Sequence, residues 1–169
     1  MEWWQRSKPE QIQAKPWLHA DAIEYFETVL QPDYSVIEHG SGGSTLWLAE
    51  RVKVIWSFEH DPDWQGMVSK LAKTNTKVFS PDFLDAILKR GDQFDLLFID
   101  GDPPETRRRW LTEARRLVVR GGWVVLDNAN RPEYEIEHEA LKDFCDLVKA
   151  FNRNESFSRY FVTEFWRVR

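Results

Sequence analysis

Two carboxylates and an amide stand where a sheet edge would collect them. Asp100 follows the apolar run Phe94–Ile99, and Asp127-Asn128 follows Trp123-Val124-Val125-Leu126. If those runs are neighbouring parallel strands, both acids emerge at one edge, where paired carboxylates either raise one another's pKa or recruit a cation. A second group lies earlier in the chain. Glu38-His39-Gly40-Ser41-Gly42-Gly43-Ser44-Thr45 is a glycine-rich turn that can bring backbone close to a ligand and open a helix whose free N–H groups face it. Glu59 comes 19 residues after Gly40, at the end of the next apolar run, the spacing at which a carboxylate accepts hydrogen bonds from ribose hydroxyls. That pattern suits a dinucleotide or an adenosine-bearing sulfonium cofactor. Thr45, where a dinucleotide site wants a small residue, and the negative Glu38, which would repel a pyrophosphate, favour the sulfonium. Other chemistries lack their residues: no His-x-x-x-His or Cys-x-x-Cys spacing for zinc, no Gly-x-Ser-x-Gly elbow, and a single cysteine, Cys145.

The elements that must position these groups alternate along the chain. Helical spacing from Trp17 to Leu30 is followed by a strand at 34–37, a helix at 44–51 and a strand at 52–58. Asp61-Pro62 opens a helix, 77–79 is a brief strand, and Ser80-Pro81-Asp82 caps a helix through Lys89. Phe94–Ile99 and Trp123–Leu126 are buried strands separated by a helix over 104–118. The pattern then predicts a long amphipathic helix over 133–151 and two final strands, 157–161 and 163–168. The expectation is a Rossmann-like, doubly wound α/β domain over 17–169, mostly parallel, with a C-terminal antiparallel hairpin and an N-terminal arm at 1–16. The 169 residues suit one domain, and 42% hydrophobic with 30% charged residues excludes wholesale disorder. No signal-peptide layout, no membrane-length apolar run and a lone cysteine suggest a cytoplasmic protein. The net charge of −5 argues against a sequence-independent nucleic-acid binder.

Four short stretches, in order, resemble class I S-adenosylmethionine (SAM) methyltransferases. Val36-Ile37-Glu38-His39-Gly40-Ser41-Gly42-Gly43-Ser44-Thr45-Leu46-Trp47 resembles their motif I, and Phe58-Glu59-His60-Asp61-Pro62 their acidic second-strand motif. Phe98-Ile99-Asp100-Gly101 and Leu126-Asp127-Asn128 are similar to the fourth- and fifth-strand ends of the catechol and caffeoyl-CoA type O-methyltransferases. The resemblance implies that Gly40, Ser41 and Gly42, flanked by Glu38 and Ser44, line the methionine part of SAM. Glu59 would hold the ribose, His60 would lie against the adenine, Ser80 and Asp82 would meet its edge, and Asp100 would sit above the methyl donor. It also implies that Asp100, Asp127 and Asn128 are catalytic and bind a divalent cation, Mg²⁺ or Mn²⁺, since hard cations take carboxylate and carbonyl oxygens. One departure matters. Those relatives carry a Lys as general base shortly after the strand-four Asp; here the segment is Asp102-Pro103-Pro104-Glu105, which leaves Asp102, Glu105 or His39 as proton acceptors.

The expected activity is methyl transfer from SAM to an oxygen of a small molecule. A SAM- or nucleotide-binding module without turnover and a nicotinamide-dependent oxidoreductase are the alternatives. Arg109 and Arg131 could clamp an anionic acceptor group, while Arg115 and Arg116 read as a solvated helix face. An aromatic acceptor is the other option. No nucleic acid and no membrane are expected as partners. Trp47, Trp56 and Trp123 are expected in the core, and Trp64, Trp110 and Trp166 half-buried. Trp3, Trp4 and Trp17 gather at the N-terminus as a lid, a stacking platform or, preferentially, a homodimer surface.

Overall fold

The structure is a computed structural model describing residues 12–152 and 162–169. Trp3, Trp4 and the strand expected at 157–161 lie outside the described residues. The chain alternates α1 (Ala20–Val29), β1 (Ser35–His39), α2 (Gly43–Ala49), β2 (Val54–Phe58), α3 (Pro62–Leu71), β3 (Thr76–Phe79), α4 (Leu84–Arg90), β4 (Phe94–Ile99), α5 (Arg107–Leu117) and β5 (Val118–Leu126), then α6 (Glu135–Glu139), β6 (Cys145–Asn152) and β7 (Val162–Val168). The strands form one sheet ordered β3-β2-β1-β4-β5-β7-β6. β1 to β5 run parallel, and β7 is antiparallel to both β5 and β6. No helix among the described residues is long and apolar enough to cross a membrane.

Each face of the sheet carries its own core, which explains the continuous apolar runs of the central strands. On one face Ala22 and Phe26 of α1 and Leu48 of α2 pack on Val36, Ile55, Leu96, Phe98 and Val125. On the other Leu84 and Ile87 of α4 and Trp110, Leu111, Ala114 and Leu117 of α5 cover Ile37, Leu97, Ile99 and Val124. The strand order reverses between β1 and β4, so a crevice opens beyond their carboxyl ends. His39 pairs with Phe58 on one side and Ile99 on the other, which brings the turns after β1, β2 and β4 to one level.

The long helix expected over 133–151 is not formed. A 3₁₀ turn at Pro132–Tyr134 leads into the short α6, and a second 3₁₀ turn at Ala140–Asp143 ends it. From Cys145 the chain is the edge strand β6, in register with β7 from Cys145↔Val168 to Asn152↔Val162. Its apolar residues do not make a buried helical stripe: Ile136 is 82% and Leu147 49% exposed. The ladder of β7 competed successfully with local helical spacing, because β7 would otherwise present an unpaired edge. The expected antiparallel hairpin therefore exists, but its first strand lies earlier in the chain. Trp110 and Trp166 are fully buried rather than half-buried, and Trp56 is half-buried.

Candidate active site

Gly40 makes the first turn possible. It sits at φ +92°, and a side chain there would place Cβ 2.4 Å from Cα of Gly101, so the turns after β1 and β4 touch backbone to backbone. Ser41 is pinned from two directions. Its carbonyl accepts the indole N–H of Trp64 at 2.7 Å, and its own N–H donates to Oε2 of Glu59 at 3.2 Å. The buried Glu59 also accepts the Asp61 N–H at 2.9 Å and lies 3.0 Å from Nδ1 of His60. The N-terminal segment closes over the start of α2: a Cβ on Gly43 would meet the carbonyl oxygens of Gln13 and Lys15 at 2.4 and 2.5 Å.

Glu38 and Ser44 turn inward. The Glu38 carboxylate is fully buried and accepts the hydroxyls of Ser44 and Thr45 at 2.5 Å each and of Ser57 at 2.6 Å. Burial pushes its pKa up to about 7, against the pull of those hydroxyls. The pair braces the glycine-rich turn from below, with Thr45 passing the connection on by accepting the Gly42 N–H at 2.9 Å.

Beside the turn lies a cavity of about 200 Å³, lined by His39, Gly40, Phe58, His60, Leu84 and Trp110 among others. Pro81 reaches this cavity, whereas the predicted Ser80 and Asp82 are exposed and do not line it. Thr106 donates its hydroxyl proton to the Pro103 carbonyl, so its oxygen accepts from Nε2–H of His39 at 2.9 Å. That fixes the tautomer and leaves Nδ1 of the buried imidazole as an acceptor with no partner among the described residues. Burial and the nearby Arg107 hold the His39 pKa well below the usual range, so the ring is neutral. Of the proposed proton acceptors, Asp102 faces Arg131 at 3.4 Å, and Glu105 is exposed.

At the ends of β4 and β5 the organiser is a residue the sequence did not single out. Arg107, 1% exposed, donates to the carbonyls of Gly101 and Asp100 at 2.9 Å each and to that of Asp127. It thereby ties the two acid-bearing turns together. Three consecutive arginines concealed it, but helical spacing marks it: Arg107 continues the buried stripe Trp110, Leu111, Ala114, Leu117 at i−3 and i−4. Asp100 and Asp127 are brought together as expected. The pKa of each is raised, first by burial; for Asp100 the neighbouring Asp127 adds to the rise and Arg107 opposes it. Asp100 keeps 23% of its side chain exposed, so it is the member that faces outward.

These groups do not fit a divalent cation as they stand. Asp127 Oδ1 accepts the Thr163 hydroxyl at 2.6 Å, Asn128 Oδ1 accepts Arg131 at 2.7 Å, and the Arg107 guanidinium lies 3.8 Å from Asp100 Oδ1. Two guanidinium groups supply positive charge where a cation would bring it, and one of them, Arg131, occupies Asn128 Oδ1. Asn128, at φ +52°, is a buried turn residue whose carbonyl accepts the Tyr134 hydroxyl. Among the described residues no group of three or more His, Cys, Asp or Glu is placed to hold a metal.

A family model described as a methyltransferase domain matches residues 37–129, more than half of the chain. The chain belongs to the class I SAM-dependent methyltransferase family. The matched span runs from β1 through the Asp127-Asn128 turn, so it contains every strand end described above. No curated protein matches the methyltransferase by sequence. Its fold is similar to that of precorrin 8w decarboxylase from Methanobacterium thermoautotrophicum, with a TM-score of 0.67, 18% identity, and 95% of each chain covered. An rRNA methylase from Streptococcus thermophilus is similar at a TM-score of 0.67 and 14% identity, covering 96% of this chain and 97% of that one. Fibrillarin from Aeropyrum pernix, whose structure holds natively bound SAM, is similar at 0.65 and 16% identity, covering 83% of this chain and 68% of that one. At these identities the likeness is one of fold. It does not distinguish the catechol or caffeoyl-CoA type, and with an rRNA methylase among the similar folds the expectation of no nucleic-acid partner has no support.

Proposed function

We propose that this methyltransferase carries a methyl group from SAM to an oxygen of a small-molecule acceptor, with Asp100 as the group that meets the acceptor's proton. The carrying observation is the pairing of a partly exposed Asp100 with the buried Asp127 across Arg107, at the end of the strand next to the glycine-rich turn. SAM supplies an electrophilic methyl group on a sulfonium. The chain's part is to bind, orient and handle one proton.

In this reading Gly40, Ser41 and Gly42 lie along the methionine portion, and Glu59 accepts the ribose hydroxyls. Those hydroxyls would replace the weakest present contact of Glu59, the Ser41 hydroxyl at 3.4 Å, and the exposed ring of His60. The cavity beside the turn would take the adenine between the apolar walls of Phe58, Leu84 and Trp110, with His39 Nδ1 offering an acceptor to its amino group. Asp100 stays ionisable because Arg107 opposes the effect of burial, and its raised pKa brings it closer to that of the hydroxyl it would relieve. Positioning supplies the remainder, since in-line displacement gains mainly from holding the reactants aligned.

Titration calorimetry tests the reading. SAM should bind at sub-millimolar concentration, and Glu59→Ala should weaken it by roughly tenfold or more, because buried ribose hydroxyls lose their acceptor. No binding to the wild-type chain would overturn it. Asp100→Asn should retain SAM binding and lose turnover. Full turnover in that variant would remove Asp100 from the chemistry.

A further inference from the structure

A second cavity lies at the opposite end of the sheet, where β5 begins, β7 ends and α5 runs out. It measures about 310 Å³, and Arg115, Arg120 and Arg169 line it. Facing them in the wall is one carboxylate, Asp143. Several of the described arginines are matched: Arg51 with Glu27, Arg90 with Asp92, Arg109 with Asp85, Arg116 with Glu113. Arg115 and Arg120 are not; among the described residues neither has a carboxylate within ion-pair distance. The imbalance is visible in the sequence, since residues 107–120 hold six arginines against one acid, Glu113, in a chain of net charge −5.

The cavity is also partly preorganised. Arg169 is held by Asp146 at 3.1 Å and by the Lys142 carbonyl at 3.0 Å. Arg115 has its guanidinium 6.0 Å from the centre of the Phe144 ring. Guanidinium groups that share one concave surface repel each other unless an anion lies near them, and their planar forks match phosphate oxygens two at a time. A space of 310 Å³ holds more than a single small anion.

We propose that this cavity binds a phosphate-bearing ligand through Arg115 and Arg120, with Arg169, already paired with Asp146, in its wall. The site lies about one strand length, roughly 20 Å, from the carboxyl ends of β4 and β5. A small acceptor cannot reach both places. The phosphates therefore belong to a ligand separate from the methyl acceptor, either a small polyphosphate or the backbone of an RNA.

The test titrates the wild-type chain, at low ionic strength, with tripolyphosphate and with a mixed-sequence single-stranded RNA oligomer. Arg115→Glu, Arg120→Glu and their double variant are compared, with SAM binding and thermal melting as controls for an intact fold. At least one probe should bind with micromolar affinity, and each charge reversal should cost about tenfold while SAM binding is unchanged. Tripolyphosphate binding lost in the variants identifies a small polyphosphate site. RNA binding that is tighter, falls linearly with the logarithm of salt and is lost in the same variants identifies a backbone contact. Failure of both probes to bind, or binding that survives the double reversal, overturns the proposal. SAM binding is read separately, so this failure is distinguishable from failure of the methyltransferase reading.

Discussion

Replacing Glu38 by Gln should make the protein more stable at alkaline pH than at acid pH, relative to wild type. The carboxyl is fully buried, and burial lifts its pKa from 4.5 to about 7. An acid whose folded pKa is raised stabilises the fold fully below its unfolded pKa, and that contribution is lost as pH rises through the folded value. Here the loss runs from pH 4.5 to about 7. At ~1.4 kcal/mol for each unit of pKa difference, Glu38 withdraws about 3 kcal/mol of stability between pH 4 and pH 8. Gln cannot ionise, so Glu38→Gln removes this slope. The substitution also alters hydrogen bonds to Ser44, Thr45 and Ser57, but that effect does not depend on pH to first order. The readout is therefore the pH dependence of the difference, from urea unfolding of both chains between pH 4 and pH 8. Asp127 and Asp100 titrate in both proteins, and the small share of the Asp100 shift that comes from the Glu38 charge disappears with it, so the difference reads Glu38 together with that coupling. A difference that stays constant within about 1 kcal/mol across this range would refute the assignment of a buried, high-pKa carboxyl at Glu38.

Other outcomes follow from the same site. Arg107→Met takes the guanidinium donor from the carbonyls of Asp100, Gly101 and Asp127, which should cost about 4 kcal/mol and lower Tm by roughly 10 °C; a shift under 2 °C would show that Arg107 does not tie the turns. Gly40→Ala brings a Cβ to 2.4 Å from the Gly101 backbone at a positive φ, so SAM binding should be lost together with about 2 kcal/mol or more of stability. Gly66→Ala, in the middle of α3 with nothing within 4 Å, should instead stabilise by about 0.5–1 kcal/mol, as followed by thermal melting. Mn²⁺ titrated into the protein should show no bound species by electron paramagnetic resonance, because Asp127 Oδ1 and Asn128 Oδ1 already accept from Thr163 and Arg131, and the Arg107 guanidinium lies beside Asp100.

The central strands and their ends were legible because each end combines two local signals. Val36-Ile37, Leu96–Ile99 and Trp123–Leu126 are apolar without alternation, as strands covered on both faces must be, and each runs into an acid. Asp61 was equally readable, and it caps α3 by accepting the N–H groups of Asp63 and Trp64 at 2.9 Å each. The segment 133–151 misled because its apolar spacing suits a helix, while its fate depended on β7, which comes later in the chain.

The sequence alone determined which groups arrive at the carboxyl edge of the sheet: the glycine-rich turn, Glu59, Asp100 and Asp127. Local rules suffice there, since a strand delivers whatever residue ends it. Only the tertiary structure decided what those groups do on arrival. It turned Glu38 inward onto three hydroxyls, placed two guanidinium groups where a metal had been expected, and left a His39 nitrogen with no partner among the described residues. Each of these depends on partners far away in the chain, such as Arg107 with Asp127 or Thr163 with Asp127. Burial, which sets their charge, is a property of the packed whole and has no signature in any short stretch of residues.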